Sequence, residues 1–361
     1  MLSRVAVIYN EPKHTAVEDH WLSRSLQTVH EAGAAESTFR DASEFGVLEQ
    51  MESIAGALKA SGHDVLIFSA DDDVMRLCQF LDTEKPDIIF NCCESILGKS
   101  SLEMNVAAIY ELFGIPYTGS SALSLGIALD KGVSKDIFEA NGISTPHHVV
   151  IEEGETLEML HGLSFPIIVK PVREDASIGI DEKAIVHDRA ALVERIAFVH
   201  REFTQPALVE EYIEGRELNV GVLGVSHGGL TTLPISEISF DGLPEGSPRI
   251  VSYEAKWVEE SPLYKLTVPK CPAVLPEGVA MAASALALKA ARAIGLRDYG
   301  RVDLRMRDSD NALFVLEANP NPDISEDAGF MRASGVSGRS FADTINEILR
   351  LAIERSEIAV R

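Results

Sequence analysis

The strongest chemical signal in the sequence is a pair of carboxylates on a hairpin near its C-terminal end. In GRVDLRMRDSDNALFVLEANPNPD, residues 300–323, two alternating runs flank the polar turn 308–311, which is the pattern of a β-hairpin. Pairing Val302 with Ala318, Leu304 with Leu316 and Met306 with Phe314 gives one apolar face. Because side chains alternate with period two, the same register sets Asp303 opposite Glu317 and Arg301 opposite Asn319 on the other face. Facing carboxylates repel and weaken a sheet unless a cation lies between them. Hard oxygen donors from Asp303, Glu317 and Asn319 suit Mg2+, which keeps waters and completes its octahedron with substrate phosphates. Arg301 would then meet negative charge developing on a phosphoryl group or a tetrahedral intermediate. Read alone, the same face is also a solvated polar edge.

Two further segments carry polar chemistry. In FPIIVKPVREDASIG, residues 165–179, Lys170 ends an apolar strand and Pro171 keeps its backbone extended. The loop that follows, with Ser177 and Gly179, is short enough to turn backbone N–H groups towards phosphates. In LVEEYIEGRELNV, Glu210, Glu211 and Glu217 surround a turn at Gly215. That arrangement suits an adenine amino group and ribose hydroxyls, and equally an ordinary acidic surface turn.

Positioning these groups calls for a layered α/β protein. The 361 residues suffice for two or three units of about 100–200 residues. Buried-type strands at 5–9, 64–68 and 87–90 with a helix at 46–60 imply a parallel sheet. The third strand leads into NCCES, residues 91–95, at the carboxyl end of a strand, where open α/β sheets place ligands. Helical spacing runs from 122 to 140, with Gly142 as a stop and Thr145-Pro146 as a hinge. Strands at 167–170 and 207–212 around a helix at 189–199 make a small α+β unit. A third unit begins near Glu217 and contains a Pro/Gly-rich loop at 240–248, expected to be mobile.

Composition narrows the function classes. With 46% hydrophobic and 24% charged residues the chain is globular, and a formal net charge of −24 repels nucleic-acid backbones and anionic lipid. The four cysteines show no C-x-x-C spacing, and the N-terminus runs directly into a strand without the apolar core of an export signal. A cytoplasmic protein is expected. The alanine-rich stretch 281–296 is too short and too charged for a membrane span, and reads as a packed helix.

The order of motifs IPYTGSSALSLGIALDK, FPIIVKPVRE, VEEYIEGRE, YEAKW and GRVDLR…LEANPNPD resembles the ATP-grasp superfamily, most closely the branch of D-alanine:D-alanine ligase. The resemblance implies a Rossmann-like N-terminal domain (1–122), a central ATP-grasp lid (123–213) and a C-terminal ATP-grasp part with the metal site (214–361). It makes Lys131 and Lys170 the lysines that reach ATP phosphates and Glu210 the residue at the adenine edge, with main-chain groups of Glu211 and Ile213 reading the base. Glu217 becomes the ribose carboxylate, Lys256 the phosphate-contacting lysine of a mobile loop, and Asp303, Glu317 and Asn319 the ligands of two Mg2+ ions, for which Mn2+ can substitute. Arg301, Lys256 and Ser177 make up the catalytic set. The loops 239–266 and 173–178 would close over the site, and a homodimer is implied.

The substrate positions of that family are altered. YNEPKH at 9–14 stands where the family has Gly-Gly and an acidic residue; Ala176 replaces the first lid serine, Trp257 a tyrosine, and Ala328 the serine that receives a carboxylate. Glu11 stands near the missing acid, and Arg173, Arg332, Lys265 and His14 are available cations. The expected activity is therefore ATP- and Mg2+-dependent carboxylate–amine ligation through an acylphosphate, on small-molecule acid and amine substrates other than D-alanine pairs. A small-molecule kinase and a non-catalytic nucleotide sensor are the alternatives.

Overall fold

A computed structural model describes residues 3–10, 38–70, 73–155, 162–224 and 229–359. The first sheet contains β1 (Arg4–Tyr9), β2 (Asp64–Ser69) and β3 (Ile88–Cys92), with α1 (Thr38–Ala60) and α2 (Val74–Glu84) between them. All three strands are parallel, in the order β2-β1-β3. Val5 to Ile8 are fully buried, as a central parallel strand covered on both faces requires. The helix expected at 46–60 begins earlier, at Thr38, and the third strand continues through Cys92.

After α3 (Glu103–Phe113), the stretch expected as one helix over 122–140 is two, α4 (Ala122–Leu129) and α5 (Lys131–Ala140). The break is chemical. Asp130 takes an extended ψ of 98° and its carboxylate accepts the Val133 N–H, because Asp competes for backbone donors and caps a helix better than it continues one. Leu123 and Val133, two of the apolar residues that give 122–140 its helical spacing, are exposed. The break puts Lys131 at the first position of α5.

The second sheet is antiparallel, in the order β4-β7-β5-β6: β4 (His148–Ile151), β5 (Ile167–Pro171), β6 (Ile185–Val186) and β7 (Ala207–Glu211), with α6 (Arg189–Phe203) packed against it. The third sheet holds β8 (Gly215–Gly224), β9 (Thr231–Thr232) and β10 (Ser236–Ser239). It continues, after the short helices α7 (Tyr253–Trp257) and α8 (Pro262–Leu266), with β11 (Val268–Lys270), β12 (Asp298–Arg307) and β13 (Leu313–Asn319). Between β11 and β12 lies α9 (Glu277–Ile294), whose Ala283, Ala287, Ala290 and Ala291 are fully buried against the sheet. The chain ends with α10 (Gly329–Val336) and α11 (Phe341–Ala359). Their Phe330, Ile345, Ile348 and Leu349 share one core with Val5, Ile54 and Phe90 of the first sheet's layer. Among the described residues no helix is long and apolar enough to cross a membrane.

Strands β12 and β13 form the expected hairpin, with one correction. Arg301↔Asn319, Val302↔Ala318 and Asp303↔Glu317 pair as read, but the register then shifts at a β-bulge, so that Leu304 faces Val315 and Met306 faces Leu313. Leu316 is the extra residue. The bulge reverses the alternation of β13: Val315 and Ala318 both enter the core and Glu317 and Asn319 take the opposite face. Bulges commonly re-aim side chains beside active sites.

Candidate active site

The polar face of the hairpin is built from adjacent strands. Asp303 lies between Glu317 on β13 and Asn219 on β8. Its carboxylate accepts two hydrogen bonds from Arg301, Nε to Oδ1 at 2.7 Å and Nη2 to Oδ2 at 2.8 Å, and one from Asn219 Nδ2 at 2.7 Å. Burial works against the Arg301 charge, but Asp303 and Glu317 outweigh it and hold the guanidinium firmly protonated. Burial likewise pushes the Glu317 carboxyl up, yet Lys131, Lys170, Arg301 and Lys256 bring it below its ordinary value. Repulsion between the opposed carboxylates is thus relieved by side-chain cations. Among the described residues no three His, Cys, Asp or Glu side chains group as a metal site. The oxygen set of Asp303, Glu317 and the Asn319 carboxamide is nonetheless one that a hard divalent cation with retained waters accepts.

Two lysines face this surface from the other side of the cleft. Lys131 Nζ lies 3.8 Å from Glu317 Oε2 and 3.1 Å from Asp175 Oδ1, and donates to the Glu174 carbonyl. Lys170, at the end of β5, is nearly buried and sits 2.5 Å from Glu210 Oε1. The other oxygen of Glu210 is 2.7 Å from Lys135 Nζ. Burial raises the Glu210 pKa, but the two lysines prevail and take it down to about 2. Glu210 is therefore no exposed acid: only 1% of its surface is accessible.

At the neighbouring end of the cleft, Arg305 Nη1 is 2.9 Å from Glu217 Oε2 and Nε donates to the Ile213 carbonyl at 2.9 Å. Burial, with Asp303 and Glu317 nearby, raises the Glu217 pKa despite Arg305. The Glu211 N–H is taken by the His147 carbonyl. Gly215 allows this tight entry into β8: its φ is +151° and a Cβ would stand 2.0 Å from the Met306 carbonyl oxygen.

Two loops meet over the cleft. Ala176 and Ser177 both take left-handed conformations, φ +56° and +63°. The Ala176 carbonyl accepts the indole N–H of Trp257 at 2.9 Å, and the Tyr253 N–H bonds to the Ile180 carbonyl. Lys256 Nζ stands 5.2 Å from the Trp257 ring centroid. Surrounding protein and Arg301 lower the Lys256 pKa, opposed by Glu317, Asp303 and Asp175.

The first sheet closes the remaining side. Asn10 holds the NCCES turn, accepting from the Glu94 N–H at 2.8 Å and donating to Ser95 Oγ at 2.7 Å. Asn321, just beyond Asn319, donates to the Cys93 carbonyl and to Glu103 Oε1. Desolvation and Asp323 push the Glu94 carboxyl up to about 7, against Lys256.

The structure therefore brings Lys131, Lys256, Arg301, Asp303 and Glu317 into one electrostatic neighbourhood, with Asn319 opposite Arg301 and Lys170 and Glu210 behind it. Glu211, Ile213 and Glu217 lie towards the Arg305 end, and Ser177 on the covering loop. Lys135, Asn219 and Arg305 were missed, whereas Glu94 lies in the NCCES segment that the sequence marks as a ligand position. Lys135 carried a signal, four residues after Lys131 on the same helical face; Asn219 and Arg305 depend on pairings between distant strands. Arg173 is spent on Asp130 at 2.8 Å, Arg332 on the Asp327 carbonyl and Lys265 on the Glu260 carbonyl. Glu11 and His14 lie outside the described residues.

Comparison with known proteins adds four findings. The family described as D-ala D-ala ligase C-terminus matches residues 137–350. An uncharacterized protein y4sG of Sinorhizobium fredii is 34% identical across 84% of this chain and 87% of its own. A D-alanine–D-alanine ligase of Carboxydothermus hydrogenoformans is 31% identical across 84% of this chain and 92% of its own. Among solved structures, the D-alanine–D-alanine ligase from Bacillus anthracis complexed with ATP matches with a TM-score of 0.71 at 19% identity, covering 99% of both chains. The fold is ATP-grasp.

Proposed function

This chain belongs to the D-alanine–D-alanine ligase family, whose members are ATP-dependent, ADP-forming ligases, and from that premise we propose that it joins a small carboxylic acid to an amine through an acylphosphate. The observation that carries the reading is the approach of Lys131 to Glu317 across the cleft, 3.8 Å, which aims a buried ammonium at the carboxylate face of the hairpin. Asp303, Glu317 and Asn319 would hold Mg2+, two ions in all, with Mn2+ as a substitute; the metal offsets charge on the transferred phosphoryl group. Lys131, Lys170 and Lys256 steady the phosphates, Arg301 the developing oxyanion, and Glu210, Glu211, Ile213 and Glu217 the adenosine. The loop carrying Ser177 excludes water from the acylphosphate. The division 1–122, 123–213 and 214–361, a cytoplasmic location and a homodimer belong to the same reading.

The acid and amine differ from D-alanine on this reading. Ala328 caps α10 without a side-chain hydrogen bond, and the Trp257 indole N–H is spent on the Ala176 carbonyl, so neither offers a substrate carboxylate a partner. A missing partner for a buried polar group costs about 1–3 kcal/mol. The test is phosphate release with ATP and Mg2+ across pairs of amino acids, dipeptides and small acids, with mass measurement of products. An amide plus ADP supports the proposal. A stable phosphoester identifies a kinase, no turnover with bound ATP a sensor, and efficient D-alanyl-D-alanine formation refutes the substrate reading.

A further inference from the structure

Lys135 is a buried cation beside the cleft to which the mechanism gives no task. It is fully buried, its Nζ lies 2.7 Å from Glu210 Oε2 and 3.0 Å from Thr145 Oγ1, and the Thr145 hydroxyl donates to the Val315 carbonyl at 2.8 Å. Lys170 takes the other Glu210 oxygen at 2.5 Å. Two lysines therefore share one carboxylate; burial lowers the Lys135 pKa, and Glu210 opposes that shift. Such groups add little stability that an apolar core of equal volume would not supply.

We propose that Lys135 is a positioning residue that keeps Glu210 an ionised, acceptor-only group at the base end of the nucleotide cleft, and so sets a preference for a purine with a 6-amino group over one with a 6-oxo group. This rests on the nucleotide reading above. The two lysines differ in what they are free to do. Lys170 lies one residue before the end of β5, 7% exposed, and on the nucleotide reading it is the lysine that engages phosphate. Lys135 lies in α5 with no exposed surface and stays. It compensates Glu210 while Lys170 is engaged elsewhere, and its tie through Thr145 to β13 holds it relative to the strand that carries Glu317. An ionised carboxylate only accepts hydrogen bonds, whereas a protonated one also donates. Glu210 without Lys135 would take up a proton in its buried site and accept either base.

The test is calorimetric binding of Mg·ATP and Mg·ITP to the full chain. Wild type is expected to bind ATP at least about tenfold more tightly than ITP. Lys135→Met should bring that ratio close to one, and Glu210→Gln, which both donates and accepts, should do the same. A loss of general stability would weaken both nucleotides alike and leave the ratio unchanged. If Lys135→Met does not fold, Lys135→Gln, which keeps a donor towards Thr145, carries the comparison. A wild type that binds ATP and ITP equally, or a folded Lys135 variant with the wild-type ratio, overturns the inference while leaving the nucleotide site standing. A wild type that binds neither nucleotide overturns the nucleotide reading itself, and this inference with it.

Discussion

Replacing Trp257 with Phe should loosen the contact between the two loops that cover the cleft. The substitution keeps an aromatic ring beside Lys256 and removes one donor, the indole N–H that bonds to the Ala176 carbonyl at 2.9 Å. One such bond is worth about 0.5–1.5 kcal/mol net, or roughly 2- to 13-fold in the ratio of open to closed loop, at about 1.4 kcal/mol per tenfold. The neighbouring Tyr253 N–H bond to the Ile180 carbonyl is untouched, so the shift should not exceed that range. Trypsin reads it without knowledge of the substrate, since Arg173 lies at the base of this loop and its cleavage tracks the open population when closing is fast. The nicking rate after Arg173 should rise by the stated factor in Trp257→Phe, with no comparable change in melting temperature. Equal nicking rates in the two proteins would refute the idea that Trp257 holds the loops together. A rise far beyond 13-fold would show that the ring's packing, and not its N–H, carries the closure.

Glu317→Gln should lower turnover by at least about 10² while the fold survives, because a metal ligand is lost but Lys131 keeps Asp175 and the Glu174 carbonyl; wild-type turnover at saturating substrate would remove the metal assignment. Glu94 should make the protein less stable as pH rises. Its folded pKa of about 7 exceeds its ordinary 4.5, so the folded state binds the proton more tightly and stability declines between those values and stays lower above them. Glu94→Gln should then raise the melting temperature more at pH 8 than at pH 5, and an equal gain at both would contradict the shift. Glu210 has the opposite sign, since its folded pKa of about 2 lies below its ordinary 4.5; its contribution is complete above pH 4.5 and disappears as pH falls towards 2, visible as a steeper acid limb in wild type than in Glu210→Gln.

The sequence made the hairpin legible because alternation is a local property, and three of its pairings, including Asp303 with Glu317, stand as read. It hid the bulge, since Leu316 is an ordinary strand residue with no glycine or proline to mark an irregularity. The break at Asp130 was visible in principle as a capping residue inside an apolar pattern, but Leu123 and Val133 completed a helical period that the protein does not bury. Lys131 came through the motif resemblance alone, because a lysine at a helix start has no periodicity to distinguish it. The roles of Asn219 and Arg305 could not be read at all: each depends on β8 lying beside β12, a pairing of residues more than 80 positions apart.

The core shared by the first sheet and the last two helices also orders events during synthesis. Val5, Ile54 and Phe90 leave the ribosome well before Ile345, Ile348 and Leu349, the residues that cover them. At about 5–20 residues per second, roughly 15–50 s separate Phe90 from its partners. For that interval the nascent parallel sheet carries an uncovered apolar flank. Completion of the N-terminal layer therefore waits on the C-terminal helix, and a chain that stops short of α11 leaves that flank permanently open to aggregation and proteolysis.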